Sequence, residues 1–220
     1  EVLVTVIKTE YPLSPKTSTV PGGYLGLALQ IALNLQPKPH IISISEGNEV
    51  DENNFGITKN RYNPLRLAFQ QAAVEHGCIV LFAAGNQTPP GKTIVQSVWE
   101  TPIIVGGAHY TQSNQLVASD VANGYPEHGL VGEGGTIIEF APVPHICGLC
   151  GPAEGYIYVP TPPSWQATEG GWKLSVGTSL ATPQVAAVCA YILYACPIAT
   201  PADVKEILMR TATTVLSGST

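Results

Sequence analysis

Apolar residues in this chain fall in short unbroken runs, separated by helix-length stretches of mixed pattern. Residues 2–7 (VLVTVI), 40–45 (HIISIS), 78–84 (CIVLFAA), 103–105 (IIV) and 136–141 (TIIEFA) are apolar and β-branched with little alternation. Such runs predict strands buried on both faces. Residues 24–35 carry Leu25, Leu29, Ala32 and Leu33 at helical spacing and stop before Pro37 and Pro39. Residues 64–76 place Leu67, Ala68, Gln71 and Val74 in register and stop at Gly77. Residues 180–195 predict the longest helix, and residues 201–212 a last short one with Asp203 and Lys205 in its first turns. Doubly buried strands alternating with helices predict an α/β fold, a three-layer sandwich with a central, mainly parallel sheet. Residues 142–176 hold Pro142, Pro144, Pro152, Pro160, Pro162 and Pro163 and read as a long Pro-rich loop with room for one short hairpin. No repeat and no domain boundary interrupts the pattern, so residues 1–220 read as a single domain.

Composition narrows the function. Charged residues make up 12% of the 220 positions, and the net charge is −6. With no Lys/Arg cluster, the chain is a poor partner for nucleic acid phosphates. The 45% hydrophobic content excludes disorder. It is broken by 22 Gly and 19 Pro, and no apolar run reaches the ~20 residues of a membrane span. The chain opens at Glu1, directly before a run that reads as a core strand, and its one Met is Met209. That opening raises the expectation of further sequence upstream.

Two segments carry candidate chemistry. In Gly177-Thr178-Ser179-Leu180-Ala181-Thr182-Pro183, a Gly and two hydroxyl residues enter a helix with Pro inside its first turns. Ser179 sits where unpaired backbone N–H groups and the positive end of the helix dipole converge. It reads either as an N-cap or as a nucleophile whose own N–H helps hold an oxyanion. Ala83-Ala84-Gly85-Asn86 ends the third predicted strand, at the edge where open parallel sheets bind ligands. Asn86 is either a turn residue or an amide donor to that oxyanion.

Together and in this order, the two segments resemble the subtilisin-like serine proteases, the subtilases of peptidase family S8. Ala83-Ala84-Gly85-Asn86 is similar to the family's oxyanion motif. Gly177-Thr-Ser-Leu-Ala-Thr-Pro-Gln-Val-Ala-Ala187 resembles its nucleophile motif Gly-Thr-Ser-Met-Ala-Thr/Ser-Pro-His-Val-Ala-Gly. Ile41-Ile-Ser-Ile-Ser45-Glu46-Gly47 resembles the cleft strand Val-Ile-Asn-Met-Ser-Leu-Gly. Pro102-Ile-Ile-Val-Gly-Gly-Ala108 and Phe140-Ala141-Pro142 match two further family segments. The resemblance implies a subtilisin-like fold and peptide-bond hydrolysis by acyl transfer. Ser179 is then the nucleophile, with the Asn86 amide and the Ser179 N–H as the oxyanion hole. Ser45, Gly47, Ala84 and Gly85 would line a cleft in which a peptide or protein substrate adds as an extended strand. The family default is a secreted or extracytoplasmic protein; the sequence itself sets no compartment.

The chain departs from the family where the base should be. The His-Gly-Thr-His helix and the Asp-bearing strand of the family are absent from it, and His40, His76, His109, His128 and His145 stand in other contexts. The expectation is an N-terminally incomplete subtilase domain, with Asp and His upstream of residue 1. The missing N-terminal part, or a pro-segment, is then a partner. The 220 residues alone are expected to be inactive and poorly stable. The alternative is a catalytically inactive relative that binds peptides or scaffolds. Gln184 replaces the motif's His, and Glu46 the cleft Leu. Of the five cysteines, Cys78 and Cys189 read as core residues, and Cys147-Gly-Leu-Cys150 as a local disulfide or two thiols. No cofactor is expected. No metal site is expected either: a lone CxxC lacks a second ligand pair, and no calcium loop is present.

Overall fold

The computed structural model describes residues 3–5, 22–45, 49–50, 67–69, 75–86, 93–94, 102–118, 130–131, 137–138, 146–150, 157–160 and 172–213. Helix α1 (Gly22–Leu33) buries Leu25, Leu29 and Ala32, the 3–4 spacing read from the sequence. Strand β1 (Ile41–Ile44) follows, then β2 (Glu49–Val50) and β3 (Ile79–Ala83). β4 (Thr93–Ile94) pairs with β2 as a separate antiparallel ribbon. β5 (Ile103–Tyr110) is the hub of the main sheet: β3 runs parallel to its start and β6 (Leu116–Ala118) antiparallel to its end. β1 pairs parallel with β3, from Ile41 against Ile79 to Ile44 against Phe82. The α/β architecture with a mainly parallel sheet is therefore present.

Two sets of side chains emerge from β3 and β5. Ile79, Leu81, Ile103 and Val105 face a cluster with Ala181, Val185 and Cys189 of helix α2 (Thr178–Ala195) and Val204 and Leu208 of helix α3 (Pro201–Thr211). On the other side Phe82 meets Phe69 edge-on, ring centroids 5.2 Å apart, and residues 67–69 are helical. This gives the expected helix layers on both sides of the strands. Cys78 and Cys189 are fully buried, as read from the sequence.

Three expectations need correction. Residues 3–5, inside the predicted opening strand 2–7, form no strand, and Leu3 and Val4 are each 76% exposed. A β-branched run becomes a strand only where a neighbour supplies ladder bonds and a surface to pack on. Nor do residues 137–138, the described part of the run 136–141, join the main sheet. Ile137–Ile138 form β8, paired antiparallel with β7 (Leu130–Val131). The fifth strand is β9 (Ile146–Leu149), inside the stretch read as a Pro-rich loop, and it runs parallel to β5 from Val105 against Ile146 to Ala108 against Leu149. The same stretch holds the hairpin of β10 (Ile157–Pro160) and β11 (Trp172–Ser175). β9 escapes the apolar-run criterion because Gly148 interrupts it. That glycine has a packing reason: a Cβ there would lie 2.7 Å from the Ala181 carbonyl oxygen of α2.

α3 starts with a reciprocal cap. Thr200 Oγ1 accepts from the Asp203 N–H at 3.2 Å, and the Thr200 N–H donates to Asp203 Oδ2 at 2.8 Å, with Pro201 opening the helix. The Thr200 hydroxyl, which donates to Asp203 Oδ2 at 2.7 Å, and then the Thr200 N–H hold the Asp203 carboxyl below its usual value. The cap's stability is therefore present at neutral pH and lost on acidification through that lowered value. Thr200→Ala is expected to lower the thermal midpoint by about 2–4 °C, read by circular dichroism.

Candidate active site

The C-terminal ends of parallel strands lie on one sheet edge, so the residues after β1 and β3 come together there. Ser45 follows β1, and Ala84, Gly85 and Asn86 follow β3, with Gly85 at a φ of 98°. α2 begins at the same corner. Its N-cap Gly177 has a φ of 131° and donates its N–H to the Cys150 carbonyl, just past β9. A side chain at Gly177 would press on the Asn86 amide, whose Oδ1 and Nδ2 both lie 3.0 Å from an added Cβ. Glycine is required there on both counts.

Thr178 joins the strand end to the helix start. Fully buried, it donates its N–H to Asn86 Oδ1 at 2.7 Å. Its hydroxyl accepts from the Gly85 N–H at 3.1 Å and directs its hydrogen at Asn86 Oδ1, 2.9 Å away, and at the Gly85 carbonyl, 3.2 Å away. Two donors thus occupy Oδ1, and the amide nitrogen remains as the donor end of Asn86. Ser179 is next. Its hydroxyl donates to the Ser45 carbonyl at 2.9 Å, and the Ser45 hydroxyl donates to the Ser179 carbonyl at 2.9 Å. Ser45, Ala84, Gly85, Asn86 and Ser179 therefore share one corner, whereas Gly47 and Glu46 lie outside the described residues.

Three contributors went unread in the sequence. Besides Thr178, Thr182 is buried and donates its hydroxyl to the Thr178 carbonyl at 2.8 Å. Gln184, which reads as a minor departure from the motif, donates from Nε2 to the carbonyls of Leu149 at 2.7 Å and Leu180 at 2.9 Å. The available signal was hydroxyl and amide residues flanking a helical Pro183, where backbone carbonyls need donors.

Among the described residues, the partners of the histidines do not include Ser179, whose hydroxyl bonds to Ser45. His40 gives its carbonyl to the Ile79 N–H, His76 Nδ1 lies 3.1 Å from Lys38 Nζ, and His109 sits in β5 opposite Val117 with Nδ1 buried and unpartnered. His128 and His145 lie outside the described residues.

None of the five cysteines is in a disulfide. Cys147 pairs with Gly106 in the ladder, and Cys150 continues it by donating its N–H to the Ala108 carbonyl. Three residues of extended strand separate the two by roughly 10 Å, beyond disulfide reach. Burial, then the neighbouring Cys150, pushes the Cys147 thiol up to about 11, and burial raises Cys189 to about 11. Unfolded thiols ionise first, so the folded state is the more protonated one and loses stability as pH rises from 9.0 towards about 11. A titration of thermal midpoint is expected to fall across that window, and less steeply in Cys147→Ala/Cys189→Ala. Among the described residues, no group of three or more His, Cys, Asp or Glu is placed to hold a metal.

The sequence pattern of the subtilase family, peptidase S8, matches residues 16–220. No curated protein matches the chain. Similar solved structures include sphericase, with 20% identity over 87% of this chain and 56% of that one, at a TM-score of 0.62. The prenylagaramide maturation protease PagA has 21% identity over 91% of this chain and 61% of its own, at 0.63. The nisin leader peptidase NisP from Lactococcus lactis has 18% identity over 88% and 58%, at 0.62. At these identities the likeness is one of fold. The chain spans about three-fifths of the length of those structures.

Proposed function

Because this chain belongs to the subtilase family, we propose that it carries the nucleophile and the oxyanion donors of a serine endopeptidase acting on peptide or protein substrates. Ser179 Oγ attacks the scissile carbonyl. The Ser179 N–H and Asn86 Nδ2 donate to the oxygen as it gains charge, at a helix start whose dipole favours an anion. Ser45 forms one wall of the cleft, where the family motif would also put Gly47, and Ala84 and Gly85 the other. The base His and its orienting Asp come from sequence upstream of residue 1, which acts as the completing part of the same domain.

The observation that carries this reading is the double use of Asn86 Oδ1 by Thr178, directly before Ser179. It turns an ambiguous Asn into one whose donor end is defined. A different reading, a peptide-binding scaffold without catalysis, draws on the Ser179 hydroxyl being bonded to the Ser45 carbonyl. Labelling separates the two. A fluorophosphonate is expected to modify Ser179 in the protein expressed from its complete reading frame. Absence of label on a folded protein favours the scaffold. Upstream sequence without an Asp-bearing strand and a His-Gly-Thr-His helix points the same way.

A further inference from the structure

A helical carbonyl at position i accepts from the N–H at i+4. Pro183 stands four residues after Ser179, inside α2. It has no N–H, and its ring crowds the carbonyl of residue i−4. Ser179 therefore bears the one carbonyl in this turn that the helix itself cannot serve. Its neighbours are reinforced from within α2: Thr182 Oγ1 donates to the Thr178 carbonyl and Gln184 Nε2 to that of Leu180. The Ser179 carbonyl instead takes its donor from another element, the Ser45 hydroxyl at 2.9 Å, 134 residues earlier. The Ser45 carbonyl accepts the Ser179 hydroxyl at the same distance. The two residues are tied in both directions.

We propose that the Ser45 hydroxyl is a positioning group for the nucleophile: it supplies the donor that Pro183 withholds, and so fixes the turn carrying Ser179 against the end of β1. The role goes beyond lining the cleft, and it rests on the reading of Ser179 as nucleophile. Water would also solvate the carbonyl, but water fixes no distance between two elements. A residue with an N–H at 183 would draw the carbonyl back into the helix and compete with the tie.

The test uses the protein from its complete reading frame, with Ser45→Ala, Ser45→Thr, Pro183→Ala and the Ser45→Ala/Pro183→Ala pair. Ser45→Ala is expected to lower the thermal midpoint by about 2–4 °C, the effect of one lost hydrogen bond. In the Pro183→Ala background the same change is expected to cost less than half of that, because residue 183 now serves the carbonyl. The rate of Ser179 labelling by a fluorophosphonate is expected to fall about tenfold in Ser45→Ala, with the probe's saturation constant unchanged, as a displaced nucleophile requires. It stays low in the pair, and Ser45→Thr restores it. A rate that recovers together with the midpoint in the pair overturns the positioning role, as does an undiminished rate in folded Ser45→Ala. A wild type that takes no label overturns the nucleophile reading and the positioning role with it.

Discussion

Replacing Ser179 by alanine is expected to abolish covalent labelling by a fluorophosphonate and to cut peptide hydrolysis by the complete protein about a millionfold. That magnitude belongs to subtilisin and is carried over. The fold should survive, because among the described residues the Ser179 hydroxyl makes one hydrogen bond, to the Ser45 carbonyl. Its loss is worth about 1 kcal/mol. Asn86→Ala should be the milder lesion, with turnover down by about 10²–10³ for one missing oxyanion donor, again on subtilisin's scale. It also removes the acceptor that holds the Thr178 N–H and hydroxyl, so its thermal midpoint should drop as well. Turnover by Ser179→Ala at a rate near that of the wild type would remove the nucleophile from this corner altogether.

The second large effect is structural. In Gly148→Ala, the new methyl group would stand 2.7 Å from the Ala181 carbonyl oxygen and 3.0 Å from its Cα and Cβ. Two of these are backbone atoms, and Ala181 is fully buried, so neither partner can turn aside. α2 must lift from β9. A loss of about 3 kcal/mol is expected, the upper part of the range for overpacking, or a midpoint lower by about 6–12 °C. The labelling rate of Ser179 should fall with it, since Ser179 lies on the displaced turn. Gly77→Ala is the control. Its φ is 63°, with nothing within 4 Å of an added Cβ, so only a backbone cost of about 1 kcal/mol applies. Equal midpoints for the two variants in a calorimetric melt would show that the contact under β9 is looser than described.

The strands best announced in the sequence were those whose burial is total. The run 79–83 is buried at every position, so its apolar pattern is unbroken and unambiguous. β5 was legible only at its start. Gly106 and Gly107 look like a strand end, yet they continue the ladder opposite Cys147 and Gly148. Local propensity cannot see this, because it is a neighbouring strand that keeps the chain extended. Residues 3–5 failed for the converse reason: β-branched side chains without a ladder among the described residues. At the site, the paired motifs led to Ser179 and Asn86. Thr178 stayed unread because its importance lies in three partners on another segment. The roles of Ser45 and Pro183 were half visible. A proline four residues after a serine in a helix announces an orphan carbonyl, but only the fold reveals who answers it.

The bonds between Ser45 and Ser179 bridge a separation of 134 residues. Contacts of that range form late, since the ends of a long loop must meet before anything rewards the meeting. A ribosome must therefore pass residue 179 before the corner that joins the two serines can exist. Under the proposed function, half-made chains are spared an assembled nucleophile among themselves.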